Sequence, residues 1–167
     1  HLVIRVPVGG GIRAVEHHSE SNEALFAHSP GLHVAYPSCP ADAASMLAYA
    51  CGLGSPVVFF EPKRLYWKRR CQPRDPAPAD SALGARTIRS GSDITVAGYG
   101  AVLEDVLAAA HALAGTVDVE VLDLRWIAPM DGPLVRDGEI VVGEDGRVTA
   151  VGRTPTGGSP VPHAIDL

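Results

Sequence analysis

His17 and His18, flanked by Glu16, Ser19 and Glu20, form the densest group of proton-handling side chains in this sequence. Imidazole gains and loses protons near neutral pH, so a histidine between carboxylates suits general acid–base work, and Ser19 could extend a relay from it. A metal site is the rival chemistry. Adjacent residues on an extended backbone point in different directions, which works against His17 and His18 ligating one ion together. The pair follows the run Gly9, Gly10, Gly11 behind an apolar strand pattern. Such a loop could cradle a phosphate, but no Gly-Lys-Ser/Thr follows and the GxGxxG spacing is missing. The glycines read instead as tight turns and a close backbone approach. On the residues alone, a functional histidine and a plain surface loop both stay open.

Other candidate groups carry less chemistry. Cys39, Cys51 and Cys71 are odd in number and widely spaced, which suggests neither a disulfide framework nor zinc and fits a reducing cytoplasm. Lys63, Arg64, Lys68, Arg69 and Arg70 form a local basic cluster, read as a solvated loop. The formal net charge of -5 argues against nonspecific nucleic-acid binding. No segment reaches the roughly 18 consecutive apolar residues of a membrane helix, and residues 1 to 20 lack the pattern of a signal peptide. With 46% hydrophobic and 20% charged residues the chain has the composition of an ordinary globular protein. The opening HLVIRVP has no initiator Met and starts directly in a strand pattern, which predicts a further portion upstream.

The elements that must position these groups alternate. Leu2 to Val6 reads as a short buried strand ended by Pro7, and residues 22 to 28 as one or two helical turns capped by Asn22. His33 to Tyr36 is a second strand. A helix starts at Pro40 and Asp42, places Ala44, Leu47, Ala48 and Cys51 on one face, and ends at Gly52 and Gly54. Val57, Val58, Phe59 and Phe60 form an apolar run expected of a strand covered on both sides. Strand, helix, strand implies a parallel sheet. Residues 63 to 92 lose the hydrophobic period, gather prolines and read as a linker. Ile94 to Ala97, a helix over 102 to 114 with Leu103, Val106, Leu107, Ala110 and Leu113 on one face, and Val119 to Leu122 make a second βαβ unit. Beyond Asp131 the pattern becomes all-β, with Glu139 to Val142 and Arg147 to Val151 as a hairpin and Ala164 to Leu167 as a third strand.

Several motifs occur in the order and spacing of one family. The stretch from Pro7 through the glycines to His18-Ser19-Glu20-Ser21, then Phe26-Ala27-His28-Ser29-Pro30-Gly31-Leu32, resembles the β subunit of the thiamine-diphosphate-dependent 2-oxo acid dehydrogenase E1 component. So do Pro37-Ser38-Cys39-Pro40-Ala41-Asp42-Ala43, the run Phe59-Phe60-Glu61-Pro62-Lys63-Arg64-Leu65-Tyr66, which is similar to the branched-chain type, and Leu122-Asp123-Leu124-Arg125. The resemblance covers residues 1 to 131. It implies an α/β fold: part of a transketolase-like pyrimidine-binding domain (1–62), a linker (63–92), the start of a transketolase C-terminal domain (93–131), and a short all-β tail (132–167). The tail itself resembles the N-terminal β segment of amidohydrolases, without the metal-binding His-x-His of that family.

What the resemblance implies for chemistry is specific. His18 matches the active-site histidine, moving protons during oxidative decarboxylation of pyruvate or a branched-chain 2-oxo acid and acyl transfer to a lipoyl-bearing E2 acyltransferase. Glu20 stands where Gln is usual, and a carboxylate there would raise the histidine's basicity. His28 is another family-like position, expected to pack or hydrogen-bond. The glutamate that contacts the aminopyrimidine ring lies upstream of residue 1, and the diphosphate and Mg2+ of the cofactor belong to the α subunit. A monovalent cation, K+, would sit among backbone oxygens near Ala50, Leu53 and Ser55, although Leu53 replaces a common Asp. The implied assembly is a soluble cytoplasmic α2β2 heterotetramer bound to E2, with no activity expected of this chain alone. The alternatives are a non-catalytic remnant serving as a subunit-interaction module, or another transketolase-like enzyme.

Overall fold

A computed structural model describes residues 1–15, 19–67 and 84–129, together with the backbones of 138–142 and 148–153. Its elements are β1 (Val3–Val8), α1 (Glu23–Ala27), β2 (His33–Ala35), α2 (Pro40–Gly52), β3 (Val57–Pro62), a 3-10 turn (Lys63–Leu65), β4 (Arg86–Arg89), β5 (Ile94–Gly98), α3 (Val102–Ala112), β6 (Val119–Asp123), β7 (Trp126–Ala128), β8 (Gly138–Val142) and β9 (Val148–Arg153).

The apolar run at 57 to 60 sits at the centre of the first sheet, as its composition requires. The order is β1-β3-β2-β7, with β1 and β2 both parallel to β3. Alternate residues of β3 feed opposite faces: Val58 and Phe60 pack with Val8, Val34 and Tyr36, while Val57 and Phe59 pack with Met46, Ala50 and Trp126. Phe59 and Phe60 are fully buried. Each contributes about 1.5–3 kcal/mol by leaving water.

β1 departs from the expected buried strand. It lies at the sheet edge with Leu2 and Ile4 exposed, and it runs on through Pro7 to Val8. An edge position tolerates a proline that has no N–H to give, and an apolar run reads alike at edge and centre.

Helix α2 spans the expected residues but turns a different face inward. Met46 and Ala50 are buried with Asp42 and Ser45, whereas Ala44, Ala48 and Cys51 are exposed. In a helix this rich in alanine the apolar stripe is nearly continuous, and Met46, the long side chain that is fully buried, marks the face that seats. Asn22 likewise precedes α1 without capping it by its side chain, which donates instead to Glu20 Oε2 at 3.0 Å.

The second sheet has the order β4-β6-β5, with β5 and β6 parallel and β4 antiparallel to β6. Helix α3 packs Leu103 and Ala110 on it, with Val106 and Leu107 beside them, while Leu113 is exposed. β4 and the 3-10 turn both fall inside the stretch 63 to 92 read as a linker. Two apolar-capable residues, Thr87 and Ile88, between arginines are too few to show a period. β8 and β9 form the expected antiparallel hairpin. The third strand at 164 to 167 lies outside the described residues.

A backbone connection runs from the second lobe back to the first. After β6 the backbone turns at Arg125, a non-glycine residue at φ 59, and β7 then pairs antiparallel with β2 of the first sheet through Val34↔Ala128 and Ala35↔Trp126. The Tyr36 amide donates to the Arg125 carbonyl at 2.7 Å across the same junction.

Candidate functional site

The glycine-rich loop begins where β1 ends. Gly9 and Gly11 have φ of +85 and +87, a conformation that glycine adopts without the Cβ penalty. The Gly9 amide donates to the Glu20 carbonyl at 2.8 Å, which brings the two ends of the loop together, and the Ser19 hydroxyl donates back to the Ala14 carbonyl. The segment that contains Glu16, His17 and His18 is therefore anchored at its described ends, while these three residues lie outside the described set. The Glu20 carboxylate is engaged by the Asn22 side chain. No helix starts directly behind the glycines; α1 begins at Glu23, so the loop lacks the helix N-terminus that a phosphate cradle of the P-loop type uses.

His28 is exposed at the end of α1, where its backbone amide donates to the Ala24 carbonyl at 3.1 Å. Ala50, Leu53 and Ser55 lie at and beyond the C-terminus of α2, with the Ala50 carbonyl accepting from the Leu53 amide at 3.3 Å. Among the described residues no group of three His, Cys, Asp or Glu could hold a metal ion.

The densest polar constellation is one the sequence reading did not single out for chemistry. It draws on two of the family-like motifs, Pro37 to Ala43 and Leu122 to Arg125. Asp42, buried near the start of α2, accepts from both terminal nitrogens of Arg86 on β4, at 3.0 and 2.6 Å. Arg125 Nη1 lies 3.8 Å from the same carboxylate, and Arg125 Nε donates to the Gly84 carbonyl at 2.8 Å. Ser38 donates its hydroxyl to Asp123, whose other oxygen accepts the Arg125 amide at 3.2 Å. Cys39 Sγ donates to Asp42 at 3.3 Å, and burial pushes that thiol above its usual value, which makes it a poor nucleophile. Charges in both lobes satisfy one another here, as burial demands.

Asp123 carries a pH signature. Burial holds its carboxyl above the ordinary value; the Ser38 hydrogen bond opposes this and the Asp42 charge adds to it. A carboxyl raised in the folded state contributes stability below the unfolded value of about 3.9 and loses it as pH rises through the higher folded value. Asp123→Asn, which cannot ionise, is therefore expected to gain stability relative to the parent chain as pH rises from about 3 to about 7. Urea unfolding of both proteins across that range checks the sign, and a gain in the opposite direction contradicts it.

A cavity of ≈ 400 Å³ beside this constellation is lined by Cys39, Ala43, Leu47, Phe59, Leu65 and Tyr66 among others. Tyr66 donates to Glu61 at 2.5 Å, and its hydroxyl is pushed up to about 12, first by burial and then by that bond.

Comparison with known proteins agrees with this two-lobed arrangement. Residues 1–68 match the family described as transketolase, pyrimidine binding domain, and residues 84–154 match transketolase, C-terminal domain. The second match takes in β4 and runs on through β8 and β9. The pyruvate dehydrogenase E1 component subunit beta of Acholeplasma laidlawii is 44% identical over 133 residues, 78% of this chain and 40% of that protein. The 3-methyl-2-oxobutanoate dehydrogenase subunit beta of Mycobacterium tuberculosis (strain ATCC 25618 / H37Rv) is 38% identical over 153 residues, 87% of this chain and 43% of that protein. The chain spans about two fifths of the length of these curated relatives. Among solved structures, a split gene transketolase, inactive beta4 tetramer, has a TM-score of 0.57 at 20% identity over 74% of this chain and 39% of that one, a likeness of fold. With both transketolase-type domains matched in order over most of its length, the chain belongs to the transketolase-like family, and its curated relatives are 2-oxo acid dehydrogenase E1 β subunits.

Proposed function

We propose that the chain is a piece of an E1 β subunit that acts with an α subunit in the oxidative decarboxylation of pyruvate or a branched-chain 2-oxo acid, passing the acyl group to lipoyl-bearing E2. The observation that carries this is the 44% identity to an E1 β subunit across 78% of the chain. His18 is the proposed catalytic residue, moving protons at the reacting centre. The loop anchored through Gly9 and Glu20 supports that reading, since a proton-transfer group must be held in place.

The proposed cofactor is thiamine diphosphate, which supplies the carbanion chemistry when bound. Its Mg2+ and diphosphate are assigned to the α subunit. K+ near Ala50, Leu53 and Ser55, an α2β2 heterotetramer and a cytoplasmic setting complete the reading. No described helix is long and apolar enough to cross a membrane. We divide the chain at residue 62 and assign β4 to the second lobe, because β4 pairs with β6.

Calorimetry tests the shared-site arrangement. Titrating thiamine diphosphate with Mg2+ into the chain together with its α partner is expected to give saturable heat, and into the chain alone none. Absence of heat from the pair would favour a remnant that keeps the fold and has lost the cofactor.

A further inference from the structure

The cleft between the two lobes contains a carboxylate without a counter-charge among the described residues. Glu23 lines a cavity of ≈ 490 Å³ together with Gly9, Gly11, Tyr36, Gly98 and Tyr99. Small-ligand sites fall in the same range, about 300–1,000 Å³. Glu23 Oε2 is buried and has no hydrogen-bond partner, and among the described residues Oε1 accepts a long bond, 3.4 Å, from the Tyr99 hydroxyl. The one cation lining the cleft among the described residues, Arg64, gives both terminal nitrogens to Asp105 at 2.5 and 2.6 Å. A buried carboxylate oxygen left in this condition is costly and calls for a donor. The negative potential reaches its neighbours: burial first, and the Glu23 charge second, hold the Tyr36 and Tyr99 hydroxyls above their ordinary values.

We propose that this cleft binds a small organic cation bearing a primary ammonium group, with Glu23 as its counter-ion and the Tyr36 and Tyr99 hydroxyls as further acceptors. An ammonium has three donors and no acceptor, which matches one carboxylate and two phenolic oxygens. The terminal torsion of a glutamate is soft, so the buried oxygen and the one bonded to Tyr99 can exchange places as a ligand enters. Arg64 is committed to Asp105, so among the described residues no cation of the cleft is left for an anion. Gly100 lets the Tyr36 ring seat beside the cleft: at its φ of +63, a Cβ would lie 2.3 Å from that ring. The site does not depend on the enzymatic reading, because none of its residues is assigned to that chemistry.

Ring-labelled tyrosine NMR of the whole chain tests it. The 4 tyrosines serve as two reporters, Tyr36 and Tyr99, and two controls, Tyr49 and Tyr66. Ethylammonium chloride is expected to shift Tyr36 and Tyr99 saturably, while sodium chloride at matched ionic strength and sodium acetate do not. Glu23→Gln is expected to weaken the response at least tenfold. Tyr99→Phe keeps the ring and removes one acceptor, giving a second variant with a several-fold loss read at Tyr36. A response that does not saturate, that appears equally at Tyr49 and Tyr66, or that both variants leave unchanged would overturn the proposal.

Discussion

Asp42→Ala is expected to lower the unfolding free energy of the chain by about 3–5 kcal/mol, a large share of the 5–15 kcal/mol that a domain usually has. Asp42 is the carboxylate on which the junction between the lobes converges. Its removal takes the bidentate partner from Arg86 and the nearby negative charge from Arg125, whose side chain is only 5% exposed. Arg125 already pays for burial, which pulls its guanidinium below the usual value, and loses the largest influence opposing that. Arg86→Ala is expected to cost less, about 1–2 kcal/mol, because the buried Asp42 keeps Arg125 Nη1 at 3.8 Å as a counter-charge and the space left by a 42% exposed side chain opens to water. Urea unfolding of the two single variants and the double variant separates the pair energy from the desolvation cost. If Asp42→Ala cost less than about 1 kcal/mol, the constellation would not be what joins the lobes.

Why this junction was hard to see in the sequence is a matter of distance. Ser38 and Asp123 are 85 residues apart in the chain yet share a hydrogen bond. The family-like motifs that contain them were legible; the fact that the two motifs face each other was not. The same limit applies to β7. Three residues, Trp126 to Ala128, are too short a run to show a period, and their partner is β2 in the other lobe. The left-handed backbone at Arg125 that redirects the chain toward β2 carries no glycine to announce it.

Local pattern did better where one face was chemically distinct. The run Val57 to Phe60 announces a doubly covered strand, and α3 shows its buried face through Leu103, Val106, Leu107 and Ala110. In α2 alanines surround the helix, and the buried face is marked by Met46 packed with Phe59, not by a stripe visible beforehand. For the candidate site, the glycine-rich loop and its neighbours Ser19 and Glu20 were legible by type and spacing. Glu23 was not, because its character comes from an oxygen that only the folded environment deprives of a partner.

The proposed catalytic role of His18 carries the second large effect. General acid–base catalysis by a positioned histidine contributes about 10²–10⁴-fold, so replacing the imidazole by a methyl group removes that contribution while leaving the lobe junction, built from other residues, in place. The measurement that tests the account most directly is reductive acylation of a lipoyl domain by the assembly of this chain with the proposed α partner, for the parent and for His18→Ala. The account predicts that the variant assembles and unfolds like the parent and loses acylation by about 100-fold or more. An assembled His18→Ala complex that acylates the lipoyl domain at the parent rate would contradict it.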